Sequence, residues 1–234
     1  MTKEDVSEAE IKFEKHIRKI ADGAEDLGDA GKIAYVHDKI AENYVYDIEC
    51  DVYDAYNFFE RGYGLCQAYT LAFSAVLNSL NIENSWAYSE TMEHIWNLVK
   101  VDGELYHVDL TWNDAENDIY VFHDYFLLSD DEMKKREHYD WYSIYKCEST
   151  KYDNSSFSLI KKPLAFADGI YYVNSDGYVV LLSDDMLSEE KVVKCSEKWK
   201  VMKSGSDFYK GKYTGVAGIG ENLFISGPKN VYRL

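Results

Sequence analysis

The apolar positions fall at helical spacing in three places along the first half of the chain. From Glu8 to Ala21, Ile11, Ile17 and Ile20 lie near one face, which predicts an amphipathic helix that ends before Gly28 and Gly31. From Lys32 to Tyr44, Ile33, Val36, Ile40 and Tyr44 repeat the pattern. The stretch from Tyr46 to Tyr56 is polar and aromatic and reads as a loop. The third helix, Cys66 to Asn81, is the clearest. Ala68, Leu71, Ala72, Ala75 and Val76 form one apolar stripe, and Leu65, Tyr69, Phe73 and Leu77 make the opposite side apolar too. No charged residue follows until Glu83, so this helix is expected to be buried nearly all round.

Beyond it the period changes. Ser85–Ser89, His94–Val101 and Glu104–Thr111 read as strands, and Asp102-Gly103 joins the last two as a tight hairpin whose turn residues need positive φ. Ile119–Leu128 suggests a further strand and Asp130–His138 a short helix. The polar run from Cys147 to Lys162, followed by Pro163, marks a change of composition. Residues 1–150 are expected to form an α+β domain and residues 151–234 a small all-β region. In that region Gly169–Leu182 and Asn222–Leu234 each have apolar runs around a turn, a weak internal repeat. Two such copies do not close a propeller.

The net charge of −17 makes a nucleic-acid partner unlikely on electrostatic grounds, and the acidic residues are spread along the chain as on a solvated surface. The 21 tyrosines and 5 tryptophans suit either a core with polar handles or a surface that grips peptide or sugar. No segment is long enough for a membrane span. Met1–Glu10 is polar and lacks the pattern of a signal peptide, which leaves a cytoplasmic protein or one whose targeting segment has been removed. The cysteines, Cys50, Cys66, Cys147 and Cys195, include no CxxC pair, and they leave the redox compartment open.

Cys66 follows Gly62-Tyr63-Gly64-Leu65 and opens the buried helix. Unpaired N–H groups and the helix dipole favour a thiolate there, and the Cys66 N–H is placed to help an oxyanion. Taken alone, the stretch fits an inert buried cysteine better. The hairpin changes that balance. If Val101 pairs with Glu104, then Leu98 faces His107, Trp96 faces Asp109 and His94 faces Thr111. His94, Trp96, Asp109 and Thr111 then share one face, with His94 and Asp109 as diagonal neighbours. A carboxylate on one imidazole nitrogen leaves the other for a thiol. His107 lies on the same face, farther from the open end, and ranks second as the base.

"GLCQAYTLAFSAVLNSLNIENSWAY" and "HIWNLVKVDGELYHVDLTWND", with Ala55-Tyr56 upstream and "YFLLSDDEMKKREH" downstream, resemble the transglutaminase-like superfamily in its microbial branch, over roughly Ala30 to His138. The resemblance implies a papain-like fold, with the cysteine-bearing helix packed on an antiparallel sheet. It also implies Cys66 as nucleophile, His94 as base and Asp109 as orienting acid. Tyr56, Gln67, Trp96 and Trp112 are the expected substrate contacts. Ala68, Thr70 and Ile95 depart from the pattern; Ala68 stands where glycine is usual and is expected to crowd the approach of substrate. The implied reaction is attack on a peptide or glutamine amide, a thioester, and its resolution by water or an amine, with hydrolysis preferred and Trp86, Trp96 and Trp112 as candidate shields. The alternative is a catalytically silent module that binds a protein or cell-wall partner. No cofactor is expected. No metal site is expected either: Asp114–Asp118 starts like a calcium loop, but Ile119 and Tyr125 occupy positions that such a loop gives to glycine and glutamate. By analogy the protein is expected outside the cell or at its surface, with a cytoplasmic place left open.

Overall fold

The computed structural model describes residues 3–49, 51–114, 120–194, 199–202, 208–211, 216–226 and 231–234. The chain forms two compact units, Met1–Lys162 and Pro163–Leu234. Residues 151–162 therefore pack with the first unit, and the division falls at the end of the polar run, at Pro163.

The first unit begins with α1 (Lys3–Ala21) and α2 (Asp29–Asn43). A short β1 (Val45–Tyr46) pairs in parallel with β2 (Tyr63–Gly64). Between them lies α3 (Ala55–Arg61), where the residue pattern suggested a loop as far as Tyr56. Local signals start and stop this helix. Asp54 Oδ1 accepts from the Asn57 N–H at 2.9 Å, and Gly62 closes the far end at a left-handed φ of 84°. Its core face is Phe58 and Phe59, adjacent residues that show no helical period.

α4 (Cys66–Ser79) is the buried helix of the sequence pattern. It packs on an antiparallel sheet of order β6-β5-β4-β3-β7, made of β3 (Asn84–Ser89), β4 (His94–Val101), β5 (Glu104–Val108), β6 (Phe126–Leu128) and β7 (Trp141–Tyr142). Hydrogen bonds lock the two layers together. Thr70 Oγ1 donates to the Ile95 carbonyl at 3.1 Å, and Asn97 Nδ2 donates to Ser74 Oγ at 2.8 Å and to the Thr70 carbonyl at 3.1 Å. On the other face of the sheet Ala87, Trp96, Leu98 and Leu128 pack with Met133 and Cys147. This is an α+β fold.

The β4–β5 hairpin has the expected register, with Val101 opposite Glu104 and Leu98 opposite His107. Asp102 and Gly103 take φ of 52° and 87°, as the tight turn requires. The strand that follows is shorter than the alternation predicts. β5 stops at Val108, and Asp109 caps a short helix, α5 (Leu110–Asn113), so Thr111 never faces His94. The reason is local: an Asp followed by Leu-Thr-Trp bonds the Trp112 N–H with its own carboxylate, at 3.1 Å, and so diverts the backbone from the ladder. β6 is likewise shorter than Ile119–Leu128; residues 115–119 lie outside the described residues, and Asp114 bridges Val121. α6 (Asp130–Lys135) ends before His138, which Glu137 precedes at a left-handed φ of 67°.

The second unit is β throughout its described residues, apart from turns. β8 (Ala165–Phe166), β9 (Ile170–Val173), β10 (Tyr178–Leu182) and β11 (Glu189–Lys194) form an antiparallel sheet. β12 (Trp199–Met202) pairs with β13 (Phe208–Gly211), and β14 (Val216–Ile219), β15 (Asn222–Ser226) and β16 (Val231–Arg233) form a third sheet. Ala165, Tyr171, Val179, Leu223 and Ile225 are its shared core. Both hairpins suggested by the sequence repeat are present, as β9–β10 and β15–β16.

Candidate active site

Cys66 is the first residue of α4 and is partly exposed. No side chain caps this helix, so its first-turn N–H groups and dipole act on whatever lies at the cysteine. Two glycines do separate jobs before it. Gly62 ends α3, and Gly64 lets α4 pack closely, because a Cβ there would stand 2.8 Å from both Ala68 Cβ and Phe58 Cδ2. Ala68 is fully buried beneath Gly64. The expectation that it crowds the substrate is thereby corrected: its methyl group points into the core.

His94 opens β4 after a turn closed by Glu93 at φ 49°. Its Nε2 lies 2.6 Å from Asp109 Oδ2. The thiol of Cys66 hydrogen-bonds the same imidazole, for which Nδ1 is the nitrogen left. Asp109 has no exposed surface. The hairpin argument brings His94 and Asp109 together correctly, but the carboxylate arrives from a helix cap rather than from the opposite strand.

The electrostatics follow from these contacts. Burial alone disfavours the thiolate of Cys66, but the hydrogen bond and charge of His94 and the Ile95 backbone outweigh it and lower the pKa. Burial likewise disfavours the imidazolium of His94, and the Asp109 carboxylate overrides it and pushes the pKa up to about 10. For Asp109 burial opposes ionisation; the charges and N–H groups of His94 and His138 hold it well below the usual carboxylate range. Thiol, imidazole and carboxylate stand in a row.

Of the four expected substrate contacts, Trp112 is on the surface beside the triad, 38% exposed, with its ring centroid 5.6 Å from that of His94. Gln67 is exposed next to the nucleophile and Tyr56 is half-buried on α3. Trp96 does not fit this role. It is 1% exposed, stacked on His94 at 5.6 Å, and its indole N–H donates to His107 Nδ1 at 2.9 Å. It is a wall behind the imidazole, because an inward residue of a central strand is covered by the core. His107, the competing base, bonds Asp130 through Nε2 at 2.8 Å and so is occupied at both nitrogens. Beside Trp112 lies a cavity of about 660 Å³ lined also by Phe122, Asp124, Tyr125 and Arg136.

The family model of the transglutaminase-like superfamily matches residues 16–110, a span that carries Cys66, His94 and Asp109. Over these residues the chain is similar to the transglutaminase-like core. Among solved structures, a transglutaminase is 18% identical over 50% of this chain and 35% of its own, with a TM-score of 0.41. A Cytophaga hutchinsonii protein described as a candidate cysteine protease is 16% identical over 42% of this chain and 37% of its own, with a TM-score of 0.36. The chain therefore matches little more than a third of the length of either. No curated protein matches it. A thiol, an imidazole and a carboxylate in this relation are the groups that thiol-dependent nucleophilic catalysis uses.

Among the described residues, three clusters bring ligand-type atoms within 4.8 Å of one another. In His37–Asp38–His123, Asn113 Nδ2 donates to His37 Nε2 at 3.0 Å, so the proton of this neutral ring lies on Nδ1, facing Asp38. In His107–Asp130–Cys147, the Trp96 N–H does the same to His107. Burial lowers the pKa of both rings, in keeping with neutral imidazoles. Each ring thus offers a proton rather than a lone pair to its carboxylate, as a hydrogen-bond network does and a metal ligand does not. The third cluster is His94–Asp109–His138. The calcium-like run from Asp114 lies outside the described residues from 115 on, as do Cys50 and Cys195. Cys147 is buried, and burial followed by the Asp130 charge pushes its pKa far up, which disfavours the thiolate. His138 escaped the sequence reading, because it was placed only as the tail of a short helix.

Proposed function

We propose that this chain is a cysteine-dependent acyl-transfer enzyme that acts on peptide or glutamine amide bonds through a thioester, with water as the preferred acceptor. The observation that carries the reading is the continuous contact from Cys66 through His94 to Asp109 at the head of a buried helix. The thiolate of Cys66 attacks the amide carbonyl carbon. The backbone N–H groups at the start of α4 face the oxygen that gains charge. As the C–N bond breaks, His94 gives its proton to the leaving amine, and Asp109 keeps the ring oriented throughout. Water, deprotonated by His94, then attacks the thioester and regenerates the thiolate.

Exposure supports hydrolysis. Cys66 is partly open, and Trp86 and Trp112, which were candidate shields, are 48% and 38% exposed. The third candidate shield, Trp96, lies inside, so water has access to an acyl group on Cys66. Retention of all three triad groups in contact argues against a purely binding module, which has no use for a perturbed thiol.

The test is to incubate the protein with glutamine-containing peptides and a fluorescent primary amine, following ammonia release, chain cleavage and amine incorporation, with Cys66→Ala as the blank. Ammonia release or cleavage in excess of incorporation supports the reading. Dominant incorporation shows a transamidase. No thiol-dependent product from a broad peptide set sinks the enzymatic reading.

A further inference from the structure

Asp109 serves two histidines with one oxygen. Oδ2 lies 2.6 Å from His94 Nε2 and 2.8 Å from His138 Nε2, while Oδ1 accepts from the Trp112 N–H at 3.1 Å. His138 lies beyond the residues that match the superfamily model, is fully buried, and has its Nδ1 3.3 Å from the Arg136 carbonyl. Aromatic rings enclose it. The centroids of Trp112, Trp96 and Tyr125 are 4.4, 4.9 and 4.9 Å from its own. A histidine sealed in this way has no path to substrate. Its one polar act toward the triad is on Asp109.

We infer that His138 is a positioning residue: it fixes the Asp109 carboxylate and divides its charge between two imidazoles, so that His94 is oriented firmly but its proton is not held too tightly to leave. The inference rests on the proposed roles of Cys66 and His94. A carboxylate oxygen that accepts two N–H bonds pulls less on each than one that accepts a single bond. His94 must release a proton to the leaving amine, so an undivided carboxylate would stabilise the imidazolium more than the chemistry needs. The three donors also leave Asp109 no freedom to turn. Among the described residues, titratable groups coupled to this cluster include Cys66 on α4, His107 on β5, His37 on α2 and Tyr125 before β6, and Arg136 and Glu137 beside His138 act in turn on Tyr125.

The test is a titration of the His94 ring by NMR on the full chain with labelled histidine, in the parent protein, His138→Leu and His138→Gln, alongside Cys66 alkylation by iodoacetamide. Leucine keeps the volume and loses the N–H. The glutamine amide reaches the place of Nε2 and restores it. The expected result is a His94 midpoint about one pH unit higher in the leucine variant and close to the parent value in the glutamine variant. If His138→Leu does not fold, His138→Asn, whose amide stops short of Asp109, takes its place with the same expected shift. A midpoint unmoved in the donor-free variant, or moved equally in the glutamine variant, overturns the inference. Should this happen while His94→Ala still abolishes low-pH alkylation of Cys66, the triad reading stands without it. If His94→Ala changes nothing at Cys66, both fall.

Discussion

The carboxylate of Asp109 holds the backbone N–H of Trp112 with one oxygen and the imidazole of His94 with the other. The cap of α5 and the partner of the His94 imidazole are thus the same side chain, and one carboxylate places both the surface tryptophan and the histidine. Asp109→Ala is expected to cost about 1 kcal/mol for the cap and a further 1–3 kcal/mol for the buried histidine N–H groups left without an acceptor. Chemical denaturation measures the sum. Stability unchanged from the parent protein would show that the cap bond carries nothing.

The Cys66–His94 contact predicts a pH signature. Because the folded-state pKa of Cys66 is lowered, its alkylation should persist below the free-thiol value of about 8.5. Because that of His94 is raised to about 10, turnover that needs the imidazolium should fall as the pH rises through that value. Activity is therefore bell-shaped between the two. His94→Ala should return Cys66 to ordinary thiol behaviour. Peptide mass spectrometry after iodoacetamide treatment reads this residue by residue, with Cys147 as the internal unreactive control.

Gly64 tolerates no side chain. A methyl group there meets Ala68 Cβ and Phe58 Cδ2 at 2.8 Å, and α4 must shift to admit it. Gly64→Ala should cost about 1–3 kcal/mol and displace the start of the helix that carries Cys66. Thermal melting reads the first effect and the rate of Cys66 alkylation the second. Gly64→Ala with Ala68→Gly should recover much of both.

Asp38 is a buried anion held by His37 Nδ1 at 2.8 Å and His123 Nε2 at 2.9 Å, and it ties α2 to the segment before β6. Burial opposes its ionisation, but the two histidines hold its carboxyl well below the usual carboxylate range. A depressed carboxylate stabilises the fold above the unfolded-state value and loses that contribution as the pH falls below it. Asp38→Ala should therefore destabilise the protein by about 3–5 kcal/mol at neutral pH, and by progressively less in acid. Denaturation curves at pH 7 and below pH 4 check the sign; an equal loss at both would contradict it.

Elements whose physics is local were legible in the residues alone. The buried helix from Cys66 follows from a long charge-free run, and the β4–β5 register follows from Asp102-Gly103, whose turn geometry admits one pairing. Those two elements bring His94 and Asp109 together; the papain-like fold and the roles of Cys66, His94 and Asp109 rest on the family resemblance. What the alternation missed is also local but weaker: α3 is short and buries two adjacent phenylalanines, and the strand after His107 yields to a cap because Asp109 bonds its own backbone.

Other features had no local signal at all. Trp96 and Trp112 carry the same residue type in neighbouring motif blocks, yet one lies in the core behind His94 and the other on the surface, a difference set by the layers that cover each. His138 reaches Asp109 across 29 residues of chain. The linear order encoded which groups are present and how the nearest ones are spaced; only folding, by burying carboxylates with whatever donors came within reach, decided which histidines share Asp109 and which one faces the thiol.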